Sequence, residues 1–115
     1  AALRAVSLPF GVSGVAQAAA IASLDAEKAL LERVESLVAE RARVEAGLRA
    51  EGWEIPDAQG NFVWFELGER TVEFASAADE LGIVVRPFAG EGARVSVGED
   101  EANDRLLELA RTFPH

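Results

Sequence analysis

From Gly14 to Leu24 polar residues nearly vanish: only Gln17 and Ser23 interrupt a run of Ala, Val, Ile and Leu. Ser13 stands just ahead as an N-cap, so the run reads as a helix apolar on every side, which usually belongs inside a larger protein. Such a helix, left bare, is expected to make the chain self-associate. Before it, Leu3 to Leu8 is a short apolar stretch stopped by Pro9 and Gly11. Asp25 is read as the cap of a second, longer helix running to about Ala50 and ended by Gly52. Leu30, Val34, Leu37, Val44 and Leu48 recur on one stripe by helical steps, while Glu27, Glu32, Glu35, Glu40, Arg43 and Arg49 cover much of the rest as a solvated face.

After Gly52 the period shortens. Trp53 to Ile55 is one candidate strand, and Asn61 to Leu67 a second, with apolar residues in both alternating sets. A strand apolar on both faces is expected to be central or covered, and both tryptophans are read as core. Thr71 is read as the cap of a short helix to Leu81, with Gly82 as its stop. Ile83 to Arg86 is a third strand, cut by Pro87. The loop Phe88 to Gly92 returns the chain into a fourth, Ala93 to Val97. Glu99, Asp100 and Glu101 place negative charge at the start of a last helix, where the helix dipole favours it; Leu106, Leu107, Ala110 and Phe113 form its apolar side. The expected fold class is α+β: a small, mostly antiparallel sheet of about four strands with helices packed on it, preceded by a long helix.

The chain's 115 residues suit one domain, 1–115, in which 1–24 link to a larger neighbour and 25–113 form the core. At this length folding can bury roughly 65% of the unfolded chain's surface, enough for a real core. No residue is methionine, even at position 1, which suggests a portion of something longer. A net charge of −9 argues against nucleic acid as a partner. No apolar run is long enough for a membrane span, so a cytoplasmic protein is expected. Cysteine is absent and the single histidine is His115, so no thiolate or interior imidazole can bind a metal or act as a base.

The last two strands hold the most informative pair. In a regular register Val85 faces Val95 and Arg86 faces Arg94. Two like charges directly opposite destabilise a hairpin unless something neutralises them. Either an anion does so, held by planar guanidinium forks, or Glu66, Glu91 or Glu99 does so from within the fold.

From Leu3 to Phe113 the chain resembles the C-terminal part of fold-type-I, pyridoxal-phosphate-dependent aminotransferases, above all the histidinol-phosphate and aromatic aminotransferase group. The likeness rests on Leu8-Pro9-Phe10 with Ser13 and the Ala-rich helix entry; on Gly60-Asn61-Phe62-Val63; on Gly82 to Phe88; and on Gly92 to Gly98 with Glu101, Asn103 and Asp104. The resemblance implies that Arg94 grips the substrate's carboxylate or phosphate, that Arg86 is a second arginine near it, and that Asn61 lies where the strand passes the substrate. It also implies an amino acid and a 2-oxo acid, or a phosphorylated amino alcohol such as histidinol phosphate, as substrates. A large cofactor domain of the same protein and a homodimer are the implied partners.

Pyridoxal 5'-phosphate is the implied cofactor of the complete enzyme. The family's cofactor lysine lies upstream of the matched stretch, and the only lysine here, Lys28, has no such counterpart. The chain alone is therefore expected to hold no cofactor, to supply no catalytic residue and to be inactive. Two alternatives remain at this stage. One is a related decarboxylase of a phosphorylated amino acid; the other is a free-standing anion-binding or interaction module.

Overall fold

The computed structural model describes residues 11–114; the Leu3–Leu8 stretch and the Pro9-Phe10 motif fall outside the described residues. The elements are α1 (Gly14–Asp25), α2 (Glu27–Ala50), β1 (Phe62–Glu66), a 3-10 turn (Gly68–Arg70), α3 (Thr71–Glu80), β2 (Arg86–Phe88), β3 (Gly92–Ser96) and α4 (Asp100–Thr112). The chain divides into two compact units, 1–34 and 35–115.

In the first unit Ser13 caps α1, its hydroxyl accepting the Ala16 N–H at 3.2 Å. No residue of α1 is buried, and Val15, Ile21 and Leu24 are exposed. Asp25 is the last residue of α1 and not the cap of α2. The apolar stripe of α2 is uncovered at Leu30 and Val34, whereas its continuation in the second unit packs: Leu37 lies against the core, and Val44 and Leu48 are fully buried. No helix among the described residues is long and apolar enough to cross a membrane.

The second unit is built on an antiparallel three-stranded sheet of order β1-β3-β2. The alternation of side chains places Val63 and Phe65 of β1 with Ala93 and Val95 of β3 on one face, all buried. The same core contains Phe74 and Ala78 of α3 and Leu106, Leu109 and Ala110 of α4. Trp53 anchors it, with its ring centroid 5.1 Å from Phe65 and 6.3 Å from Phe113, and its indole N–H donating to the Ala110 carbonyl at 2.9 Å. Burying the ring is favourable only because that N–H finds a partner.

The first expected strand, Trp53–Ile55, is absent among the described residues, which leaves three strands of the four expected. Trp53–Ile55 lines the core without pairing and is tied instead to the end of α2: Trp53 N–H donates to Leu48 O at 3.1 Å, and Arg49 donates to Ile55 O at 2.9 Å and bridges Asp57 at 2.7 Å. The third expected strand, Ile83–Arg86, begins later than expected and runs through Pro87. Ile83 N–H is committed to Ala78 O at 2.9 Å, and β2 is an edge strand, where a missing N–H is tolerated. Thr71 is the first residue of α3 and its hydroxyl donates to Gly68 O at 2.7 Å, so it closes the 3-10 turn and does not cap the helix. β1 is likewise an edge strand, covered on one face only, and Trp64 on its other face is not part of the core.

One polar cluster ties the end of β3 to α2. Asn103 is 2% exposed; its amide nitrogen donates to Glu40 Oε1 at 2.9 Å and to Gly98 O at 3.0 Å, and its oxygen accepts Gly98 N–H at 3.2 Å. Arg43 bridges Glu40 and Asp104. The hydrogen bond from Arg43 is the main cause holding the Glu40 carboxyl below its ordinary value of 4.5; the Asn103 bond adds to it and burial opposes it. A carboxyl depressed in the folded state stabilises above its unfolded pKa, and that contribution is lost as pH falls through the folded value. Glu40→Gln should therefore destabilise the chain at pH 7, and the gap from the parent should close as pH drops below 4.5. Urea unfolding of both proteins between neutral and acidic pH measures this, and a gap constant with pH would remove the ion pair from the account.

Candidate functional site

The sheet face opposite the core is open: Phe62, Glu66, Arg86 and Ser96 are exposed, and Trp64, Phe88 and Arg94 are half-buried. Phe62, Trp64 and Glu66 of β1 project there together with Ser96, Arg94 and Gly92 of β3 and Arg86 and Phe88 of β2. Trp64 pairs with Arg94, and Arg94 with Arg86, so one row reads Trp–Arg–Arg across the three strands. Phe62 faces Ser96 in the row on one side; Glu66, Gly92 and Phe88 form the row on the other. Arg94 is the central position of this grid.

The expected opposition of Arg86 and Arg94 is therefore present, but the two guanidiniums lean apart. Arg94 lies over the Phe62 ring at 5.6 Å and Arg86 over the Phe88 ring at 5.2 Å. These rings stand at opposite corners of the grid. Spreading the two charges over aromatic faces lowers the like-charge penalty that a direct approach would carry. The internal alternative fails on geometry: among the described residues neither arginine forms an ion pair, and Glu66, Glu91 and Glu99 neutralise neither. Arg94 is half-buried, Arg86 exposed.

Asn61 sits just ahead of β1. Its carbonyl accepts Val97 N–H at 2.8 Å, which closes the sheet one residue beyond Ser96. Its exposed side chain forms no hydrogen bond among the described residues. It borders the Arg94 face without joining the grid.

Three aromatic members escaped the sequence reading: Phe62, Trp64 and Phe88. Trp64 and Phe88 meet at 5.6 Å between centroids, tilted by 57°. The contact crosses β3 at Gly92, where a Cβ would come within 2.7 Å of the indole. The signal was present in the strand alternation, since Phe62 and Trp64 share a set with Glu66, which a covered face would not take readily. Trp64 also lines an open cleft of about 450 Å³ with Glu66, Gly68, Gly90 and Glu91.

The described residues do not fit a cofactor aldehyde. Lys28, the one lysine, is 92% exposed and paired with Glu32 at 3.9 Å. No cluster of three or more potential metal ligands occurs among the described residues.

Fold and face together define an α+β domain with one sheet face sealed by helices and the other cationic and aromatic. Residues 1–109 match the aminotransferase class I and II family, and the chain belongs to that family. It is similar to an aromatic amino acid aminotransferase of Streptomyces coelicolor, 62% identical over 98% of this chain and 32% of that protein. Proteins of the same name from Thermobifida fusca and Mycobacterium tuberculosis are 56% and 54% identical. A solved structure from Burkholderia pseudomallei, described as an aminotransferase, superposes with a TM-score of 0.82 at 26% identity, covering 97% of this chain and 36% of that one. The chain thus spans about a third of the length of the curated relatives it matches.

Proposed function

We propose that this chain is the substrate-binding C-terminal domain of a pyridoxal-phosphate-dependent aminotransferase that exchanges an amino group between an aromatic amino acid and a 2-oxo acid. Arg94 carries the reading: it is the central side chain of the open sheet face and has no carboxylate partner among the described residues. A half-buried, unpaired guanidinium offers a substrate carboxylate two parallel donors, with little solvent competing for them. Arg86 adds a second positive charge to the same face, and Asn61 lies at its margin. The names of the relatives support the aromatic amino acid over histidinol phosphate.

In this reading the domain's task is positioning. Fixing the carboxylate on Arg94 sets the orientation of the substrate's Cα, and much of a bimolecular barrier can be met by orientation of this kind. The cofactor supplies the electron sink for the chemistry at Cα, and the residues that hold it come from elsewhere in the enzyme, together with a large domain and a second subunit. For that reason the 115 residues alone are expected to show no transamination. The division of the chain into linking residues 1–24 and core residues 25–113 belongs to the same proposal.

Removing Arg94 tests it. A charged hydrogen-bonded contact contributes ~1.5–3 kcal/mol, so Arg94→Ala in the complete enzyme should lower kcat/KM at least about tenfold. The loss should fall mainly on KM, for the amino donor and the oxo-acid acceptor alike. Arg94→Lys should recover only part, because a point charge cannot reproduce the fork. Unchanged kinetics in Arg94→Ala would refute the assignment. Histidinol phosphate turned over faster than phenylalanine by the parent enzyme would redirect the substrate class while leaving Arg94 in place.

A further inference from the structure

We propose that Trp64 and Phe88 form the wall that receives the substrate's ring, so that preference for an aromatic carboxylate is built into this domain next to its anion anchor. The inference rests on the reading of Arg94 as that anchor. Trp64 is the cross-strand partner of Arg94, and side chains directly opposite in an antiparallel pair are close neighbours. A ligand gripped at Arg94 that extends across the strand pair toward the Glu66 and Gly92 row passes beside the indole.

Several features suit that indole to a ligand. It is half-buried, on the uncovered face, and it forms no hydrogen bond among the described residues. Trp53, by contrast, is buried and spends its N–H on Ala110. Phe88 backs Trp64 at 5.6 Å and fixes its inclination, while Gly92 leaves the space beneath it. The adjoining cleft of about 450 Å³ has Gly68 and Gly90 in its lining, and a Cβ on either would meet nothing within 4 Å. Room for a ring exists where no side chain of this domain fills it.

Charge selects the orientation. The row containing Arg94 and Arg86 is positive, and the cleft beyond Trp64 is rimmed by Glu66 and Glu91. A molecule with a carboxylate at one end and an uncharged ring at the other is favoured at both ends. A second carboxylate carried into the cleft would meet like charge, which discriminates against it.

The experiment compares 3-phenylpropionate with propionate, which differ by the phenyl group alone, using the 115-residue chain and following the Arg94 Nε–H and Trp64 indole N–H signals by NMR. Both ligands should move Arg94, and only phenylpropionate should move Trp64. An aromatic pair is worth ~0.5–1.5 kcal/mol, so phenylpropionate should bind roughly two- to twelvefold tighter. Trp64→Leu should abolish that advantage, bringing phenylpropionate down to the affinity of propionate for the same variant; Trp64→Phe should keep part of it. If Trp64→Leu weakens both ligands equally, or if phenylpropionate moves Arg94 and leaves Trp64 still, the ring wall is refuted while the anion anchor stands. If neither ligand moves Arg94, the anchor fails and the wall with it.

Discussion

Gly92→Ala is expected to destabilise the chain by about 3 kcal/mol, at the upper end of what inserting a single methyl into a packed site costs. For a domain of this length that is a drop of roughly 12 °C in the unfolding midpoint. The cause is contact between backbones: a Cβ at Gly92 would lie 2.0 Å from the Phe65 carbonyl oxygen and 2.7 Å from the Trp64 ring. A side chain can turn away, but the Phe65 carbonyl cannot without parting β1 from β3. Removing the indole should therefore not rescue the variant, and Gly92→Ala combined with Trp64→Leu should stay nearly as unstable. Gly90 supplies the control. It sits in the hairpin turn with φ +78° and open space around it, and Glu91 N–H closes the turn on Phe88 O at 2.9 Å. Gly90→Ala meets only the conformational cost of a left-handed residue, about 1 kcal/mol. Thermal unfolding of the two variants decides the matter: equal losses would mean that the strands at Gly92 are farther apart than described.

The helices and the final hairpin were readable in the sequence because each carried its own local signal. Ser13 before an apolar run, Gly52 after a charged one, and acids ahead of Leu106 mark helix ends by mechanisms that act within a few residues. The register of Arg86 on Arg94 followed from a short loop alone. What failed depended on tertiary structure. Trp53–Ile55 has the composition of a strand, yet its polar groups turn back to the preceding helix: Trp53 N–H donates to Leu48 O, and the Ile55 carbonyl accepts from Arg49. Trp64 looked like core because apolar residues filled both sets of β1. Within the five residues of β1 only Glu66, in the set of Phe62 and Trp64, marks the face that the helices leave open. The same ambiguity hid the aromatic half of the candidate site: its members lie on three strands, and only the pairing β1-β3-β2 assembles them around Arg94.

Asn103→Leu should cost about 1–3 kcal/mol, because it removes three part-buried hydrogen bonds, two to the Gly98 backbone and one to Glu40. The amide of Asn103 meets both polar groups of Gly98, accepting from its N–H at 3.2 Å and donating to its carbonyl at 3.0 Å, much as a neighbouring strand would. Its remaining N–H goes to Glu40 at 2.9 Å. On the other side of the chain, Val97 N–H is held by Asn61 O at 2.8 Å. The strand that carries Arg94 is thus clamped just past its end, from β1 on one side and from α2 and α4 on the other. Asn103→Asp separates shape from hydrogen bonding. It keeps the volume but sets a carboxylate against Glu40 and the Gly98 carbonyl, so its folded pKa should be raised. Stability lost at neutral pH should then return as pH falls and the acid becomes a donor again. Urea unfolding of Asn103→Asp across acidic pH measures this, and a deficit that stays the same or widens on acidification would show that the amide's donors do not secure Gly98. Because Glu40 and Asn103 share a bond, their losses should not add: a double-mutant cycle of Glu40→Gln with Asn103→Leu should return a coupling of about 1 kcal/mol.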